Sequence, residues 1–267
     1  MFCRRIVRAG ARFAAQQQPA LRRTYADTAR EASKKSSISA AKLSVYAVAF
    51  TSLGAVGSWQ LLSSTGMGFY SDKESLTRFK PTEEESIRAE ETINSLPIVA
   101  ELRADPNMVE SRPHMKMPTS YREKTLTGGV LSGPGKVSVP PFVWSQKDGE
   151  SLVAISYVSD SLCGHPGIVH GGFLATMLDE GLARCCFPAL PHKIGVTANL
   201  NIDYRKPTPA NSYLVLKATT TKVDGRKAWV KGHIELLAKE GEKPVILAEA
   251  TGLFVSPKYA AMMPRIA

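Results

Sequence analysis

The chain has 267 residues and a formal net charge of +10, a length that suits one or two domains. The charge is uneven: residues 1–42 hold ten Lys/Arg and two acids (+8), and the remainder holds 24 and 22 (+2). The high pI belongs to the N-terminus, which removes the main support for a nucleic-acid partner.

The first thirty residues contain Arg4, Arg5, Arg8, Arg12, Arg22, Arg23 and Arg30, with Asp27 the only acid. Apolar and small residues are interleaved with them, so residues 1–41 read as a mitochondrial transit peptide. Residues 42–63 follow as an expected membrane-spanning helix. Leu43 to Leu62 carries no charge and would rise about 30 Å, the thickness of a hydrocarbon core. Gly54, Gly57 and Ser58 would form a close-packing face, and Trp59 and Tyr70 suit an interface. Lys34, Lys35 and Lys42 precede the span, and no Lys or Arg follows before Lys73. That asymmetry predicts a single-pass inner-membrane protein with its larger domain in the intermembrane space.

Residues 64–89 read as a linker and the start of an accessory helix over Pro81–Leu96. Pro and acids stand in its first turn, and its sparse apolar residues predict light packing. Val99 to Pro118 reads as a polar connector. The Gly- and Pro-rich stretch Leu126 to Pro141 reads as a short strand or a crossing loop.

The main domain is expected over residues 90–257, with 258–267 as a tail. Leu152 to Val158 reads as a strand. His170 to Phe187 has helical spacing, with Leu174, Met177, Leu178, Gly181, Leu182 and Cys185 on one side. Strands follow over Val196–Tyr204, Tyr213–Val223, Arg226–Leu237 and Val245–Val255. Asp224-Gly225 is a hairpin signal between the second and third. A strand, a long helix and four consecutive antiparallel strands predict an α+β fold whose sheet wraps around the helix.

The chemistry concentrates in Gly164-His165-Pro166-Gly167-Ile168-Val169-His170-Gly171-Gly172, which runs into the helix that carries Asp179. A helix N-terminus presents unpaired N–H groups and partial positive charge, suited to a developing oxyanion. Glycine lets a bulky group reach that backbone. Asp179 stands seven residues after Gly172, about 10 Å along the helix. Direct cooperation within one chain is therefore awkward, and a second chain would remove the difficulty. Asp179 could instead pair with Arg184, but Glu180 is better spaced for that. His170 reads as an orienting or capping residue rather than a base. Cys163, Cys185 and Cys186, with His165 and His170, match no standard zinc spacing, so packing cysteines and no metal are expected.

The His-Gly-Gly helix start, Asp179, the run Gly195 to Pro207 and the stretch Lys222-Val223-Asp224-Gly225-Arg226-Lys227 resemble hotdog-fold acyl-CoA thioesterases. The resemblance is to the mitochondrial thioesterase superfamily member 4/5-like (PaaI-type) subgroup. It implies hydrolysis of acyl-CoA to free acid and CoA, with no cofactor beyond the CoA of the substrate. It implies a homodimer, or a tetramer, with sheets joined edge to edge and active sites at the interface. By the same resemblance Asp179 is the catalytic acid, as nucleophile or as base for water. The Gly171 amide, with Gly172 adjacent, holds the thioester oxygen, and Thr197 orients the water. Asp203, Arg205, Gly225, Arg226 and Lys227 fall near the CoA portion, although solvated charge is an equal reading of the cations. Related enzymes often carry Asn six residues before the motif His; here that position is Gly164, which leaves either His165 as a substitute donor or a weaker site. The alternative function is a non-catalytic, membrane-tethered acyl-CoA or lipid-binding module on the same fold.

Overall fold

The computed structural model describes residues 39–64, 69–238 and 241–260. Nearly all of the expected transit peptide and most of the C-terminal tail lie outside these residues. The chain divides into two compact units, Met1–Gln60 and Leu61–Ala267.

Helix α1, Ala40–Ser64, begins in the first unit, and its side chains from Lys42 to Trp59 are exposed. A helix forms where a span was expected, but the expectation of a membrane crossing is corrected. Among the described residues no helix is long and apolar enough to cross a membrane. Ser44, Thr51, Ser52, Gly54, Gly57 and Ser58 interrupt the apolar residues and lower the mean hydropathy of the segment.

The second unit opens with α2, Asp72–Thr77, started by a capping box in which Ser71 and Glu74 exchange hydrogen bonds. Helices α3, Glu84–Ser95, and α4, Pro97–Ala104, follow, with Pro97 in the first turn of α4. Strand β1 is Met108–Ser111 and β2 is Phe142–Gln146. The segment expected as a connector therefore holds α4, β1 and a 3-10 turn over Pro113–Lys116. The packing of α3 and α4 is not light either. Ile93 and Val99 are wholly buried against Trp144, Ile155 and Val215. Arg112 is buried as well, paired with Glu90 and lying 3.8 Å over the Phe142 ring, which ties β1 and β2 to α3.

Strand β3 is Ser151–Val158, and a small hairpin pairs β4, Cys163–His165, with β5, Ile168–Val169. Helix α5 spans Gly171–Cys186. The remaining strands are β6, Val196–Tyr204; β7, Ser212–Asp224; β8, Lys227–Leu236; and β9, Val245–Val255. All seven long strands form one antiparallel sheet in the order β1-β2-β3-β7-β8-β9-β6. The four late strands expected to be antiparallel are so and share this sheet, but β9 does not close it: β6 pairs with β9 and stands at the edge, while β9 is interior. The Pro207–Pro209 corner turns the chain away from β6, so β7 meets β3 instead.

The sheet curls around α5, which packs on β3, β6, β7, β8 and β9. This is the hotdog arrangement, with α3 and α4 as a further layer on the opposite face. Leu174, Leu178, Leu182 and Cys185 of α5 meet Leu214, Leu216, Ile234, Leu247 and Phe254. The approach is close at Gly181, where a Cβ would lie 2.6 Å from the Leu216 side chain. Leu178 is wholly buried at this contact. Leu178→Ala should lower stability by about 2–5 kcal/mol, measured as a lower urea midpoint with unchanged slope.

Candidate functional site

The site begins at the turn before α5. Gly167 takes φ +76 between β4 and β5, a conformation that favours glycine. The Val169 amide donates to the Thr208 carbonyl at 2.9 Å and the His170 amide to the Leu162 carbonyl at 2.8 Å. His170 is the N-cap of α5, and its Nδ1 accepts the Gly172 amide at 2.9 Å. The Gly171 amide has no protein partner among the described residues. The helix start thus offers one open donor, with the positive end of the helix dipole behind it. Gly164 lies against His170: a Cβ there would be 2.8 Å from the imidazole Cδ2. His165 is exposed on β4.

Asp179 lies two turns along α5 and is half-buried. Its Oδ1 accepts a hydrogen bond from the Thr197 hydroxyl at 2.7 Å. The structure therefore brings two of the expected residues together. It does not bring Asp179 to Gly171, since eight residues of helix separate them by about 12 Å. At the other end of β6 the Tyr204 hydroxyl donates to the Gly171 carbonyl at 2.8 Å. Strand β6 thus touches α5 twice, with Thr197 at Asp179 and Tyr204 at Gly171. Asp203 and Arg205 lie at the Tyr204 end. Arg205 Nε donates to Glu249 at 2.7 Å, and its Nη2 is 3.3 Å from Asp203. Gly225, with φ +56, Arg226 and Lys227 form the β7–β8 turn, at the Val196 end through Lys227 opposite Val255. Arg226 Nη1 donates to the Ser256 carbonyl at 2.6 Å.

A groove of about 860 Å³ contains Asp179 and Thr197 together with Thr176, Glu180, Arg184 and Phe187. A narrow cavity of about 60 Å³ lies between α5 and the sheet, walled mainly by Phe173, Met177, Leu131, Val137, Leu152 and Leu216. Thr127, Thr176, Glu180 and Arg184 line both spaces, so the cavity adjoins the groove. One polar and charged opening leading to an apolar end suits an amphiphilic ligand.

Glu180, next to Asp179, has a task of its own. Burial opposes its charge, but the hydrogen bond from His114 at 2.9 Å and the positive Arg184 outweigh that, holding its carboxyl well below the usual range. The Glu180–Arg184 pair matches expectation. His114, from the 3-10 turn 66 residues upstream, was missed, because no spacing rule links it to α5. Tyr204 was likewise read only as a strand residue. Burial pushes the Cys186 thiol up to about 12 and raises that of Cys185, so both stay protonated and pack. Among the described residues no group of His, Cys, Asp and Glu is arranged to hold a metal.

Glu180 provides a pH test. Its folded-state pKa is depressed from an unfolded value of about 4.3, so its stabilisation is present above that pH and is lost as pH falls below it. The wild type should exceed Glu180→Gln in urea midpoint at pH 7, and the gap should narrow by pH 3.

The sequence profile of the thioesterase superfamily matches residues 166–243. A Schizosaccharomyces pombe protein named UPF0644 protein PB2B4.06 is 34% identical over 69% of this chain and 71% of its own length. A Candida albicans protein described as mitochondrial and uncharacterised is 33% identical, over 63% of this chain and 76% of its own. The Bos taurus acyl-coenzyme A thioesterase THEM4 is 32% identical over 57% of this chain and 56% of its own length. The matched region contains the His170–Gly172 helix start, Asp179 and strand β6, which holds both Thr197 and Tyr204, so the chain contains a thioesterase-superfamily domain.

Proposed function

We propose that this chain hydrolyses acyl-CoA thioesters as a homodimer joined through β6. The observation that carries this reading is the placement of two half-sites at opposite ends of a free sheet edge. Strand β6 is the last in the sheet, and most of its residues are exposed. A two-fold axis through an antiparallel β6 pair would set the Thr197 end of each chain beside the Tyr204 end of the other. The Asp179–Thr197 pair of one protomer then faces the open Gly171 amide of its partner. Each site so formed has the acid and the oxyanion donor that neither helix supplies by itself.

The reaction follows from these groups. Thr197 holds Oδ1 of Asp179, which leaves Oδ2 to take a proton from water as the water oxygen attacks the thioester carbon. The carbonyl oxygen gains negative charge, which the Gly171 amide stabilises. Collapse of the tetrahedral adduct breaks the C–S bond, and the thiolate of CoA leaves with the proton returned from Asp179. The acyl tail occupies the apolar cavity beside Phe173 and Met177. The THEM4 relative and the superfamily match support acyl-CoA as the substrate class. The mitochondrial description of the Candida relative supports a mitochondrial location.

The full chain should hydrolyse at least one member of an acyl-CoA series, and Asp179→Asn should abolish that turnover. Gly171→Pro removes the amide donor at a helix position that tolerates proline; it should lower kcat by about 10²–10³-fold. Mixed and refolded together, the two inactive variants should regain activity, because a hybrid dimer contains one intact site. Absence of recovery in verified hybrids would exclude the shared site. Binding of acyl-CoA with no turnover would favour the binding-module alternative.

A further inference from the structure

The groove around Asp179 has cations that the resemblance did not assign. Of those it did assign, Arg205 is held by Glu249 and Asp203 and Arg226 by the Ser256 carbonyl, while Lys227 is exposed at the start of β8. None of the three lines the groove that contains Asp179 and Thr197. Lys116, Arg184, Lys147, His192 and Lys193 do line it. Lys116 is paired with Asp72 at 2.8 Å and Arg184 with Glu180. Lys147 and Lys193 have no carboxylate partner among the described residues.

Two separate pieces of backbone bring these lysines to one groove. Lys147 stands in the β2–β3 turn, whose Gly149 takes φ +81 and is pressed on the end of α5. A Cβ on Gly149 would lie 2.9 Å from the Cys185 carbonyl oxygen and 3.0 Å from the Ala189 nitrogen. Lys193 ends the turn before β6, where His192 and Lys193 take φ 59 and 55 in succession. A non-glycine residue in that region is strained and persists only where its surroundings fix it. Here the Lys193 amide donates to the Leu190 carbonyl at 3.0 Å, and the Ser256 hydroxyl donates to the Pro191 carbonyl at 3.0 Å. The same strained turn leads directly to Thr197.

We propose that Lys147 and Lys193, with His192 beside them, bind the phosphates of the coenzyme portion of acyl-CoA. The assignment rests on reading the groove as the acyl-CoA site. The pyrophosphate and 3′-phosphate are compact, multiply charged anions that ammonium groups match as point charges. The groove is then polarised as its ligand is. The basic rim takes the nucleotide end, Asp179 faces the thioester, and the cavity beyond Thr176 takes the acyl end. The C-terminus of α5 also attracts cations. An effect of that kind would appear in stability, not in affinity for CoA.

The test uses the full chain and coenzyme A itself, titrated calorimetrically. Lys147→Met/Lys193→Met should weaken CoA binding about tenfold or more and flatten its salt dependence, with little change in thermal midpoint. Lys147→Arg/Lys193→Arg should retain affinity. In turnover, the Met pair should lose kcat/KM for an acyl-CoA but not for the matching acyl-N-acetylcysteamine, which has the same thioester and no phosphate. Unchanged CoA affinity in the Met pair, equal losses on both substrates, or a wild type that does not bind CoA would overturn the proposal. Lysine-dependent CoA binding without hydrolysis of either thioester would uphold the phosphate site and reject the hydrolase reading alone.

Discussion

Strand β6 lies along α5 with its outer edge unpaired among the described residues, and the geometry of the site depends on that placement. Two hydrogen bonds fix it, Thr197 to Asp179 at 2.7 Å and Tyr204 to the Gly171 carbonyl at 2.8 Å. An open edge invites strand pairing unless it is covered. The bonds also set polarity, because the acid end and the amide end of the helix become the two ends of the same strand. In the proposed dimer, self-pairing across a two-fold axis would satisfy the backbone of this edge and complete each site together.

The residues upstream of the sheet do more than link. Helices α3 and α4 cover the face of β2, β3 and β7 that α5 does not, and the turn after β1 inserts His114 against Glu180. Glu180 is adjacent to Asp179, so the upstream segment braces the helix at the point where the acid projects. Thr127 and Pro113 of the same segment wall both the groove and the cavity. The acyl end of the proposed site is therefore shaped largely by residues outside the region of the superfamily match, which starts at 166.

Much of this was legible in local patterns. The helix is marked by its apolar spacing and its glycine start, and the bounds of β6 follow from strict alternation. The Asp224-Gly225 turn is found where its type requires a positive φ. Strand order was not legible, because alternation identifies a strand but not its neighbour, so nothing in the spacing placed β6 beside β9. Helix α4 and strand β1 were hidden by polar residues at one face of short elements, although Pro97 in a first turn was a usable signal. The Ser71–Glu74 box was equally readable as a helix start. The absence of charge over Leu43–Leu62 suggested a span, but hydroxyls and glycines leave α1 short of the hydropathy needed. Long-range pairs such as His114 with Glu180 leave no trace in spacing. Gly149 and the left-handed turn at His192 and Lys193 matter through tertiary contacts that spacing does not encode.

The contact between Gly164 and His170 makes the two positions complementary in volume. A side chain at 164 and an imidazole in its present rotamer exclude each other, since even a methyl would overlap the ring. A side chain such as asparagine at this position would require a different setting of the capping residue. Here the imidazole occupies that space and sequesters the second glycine's amide, leaving a single backbone donor exposed. In the proposed site a carbonyl oxygen would therefore meet one helix amide, that of Gly171, and its alignment would rest on the direction of that single N–H vector.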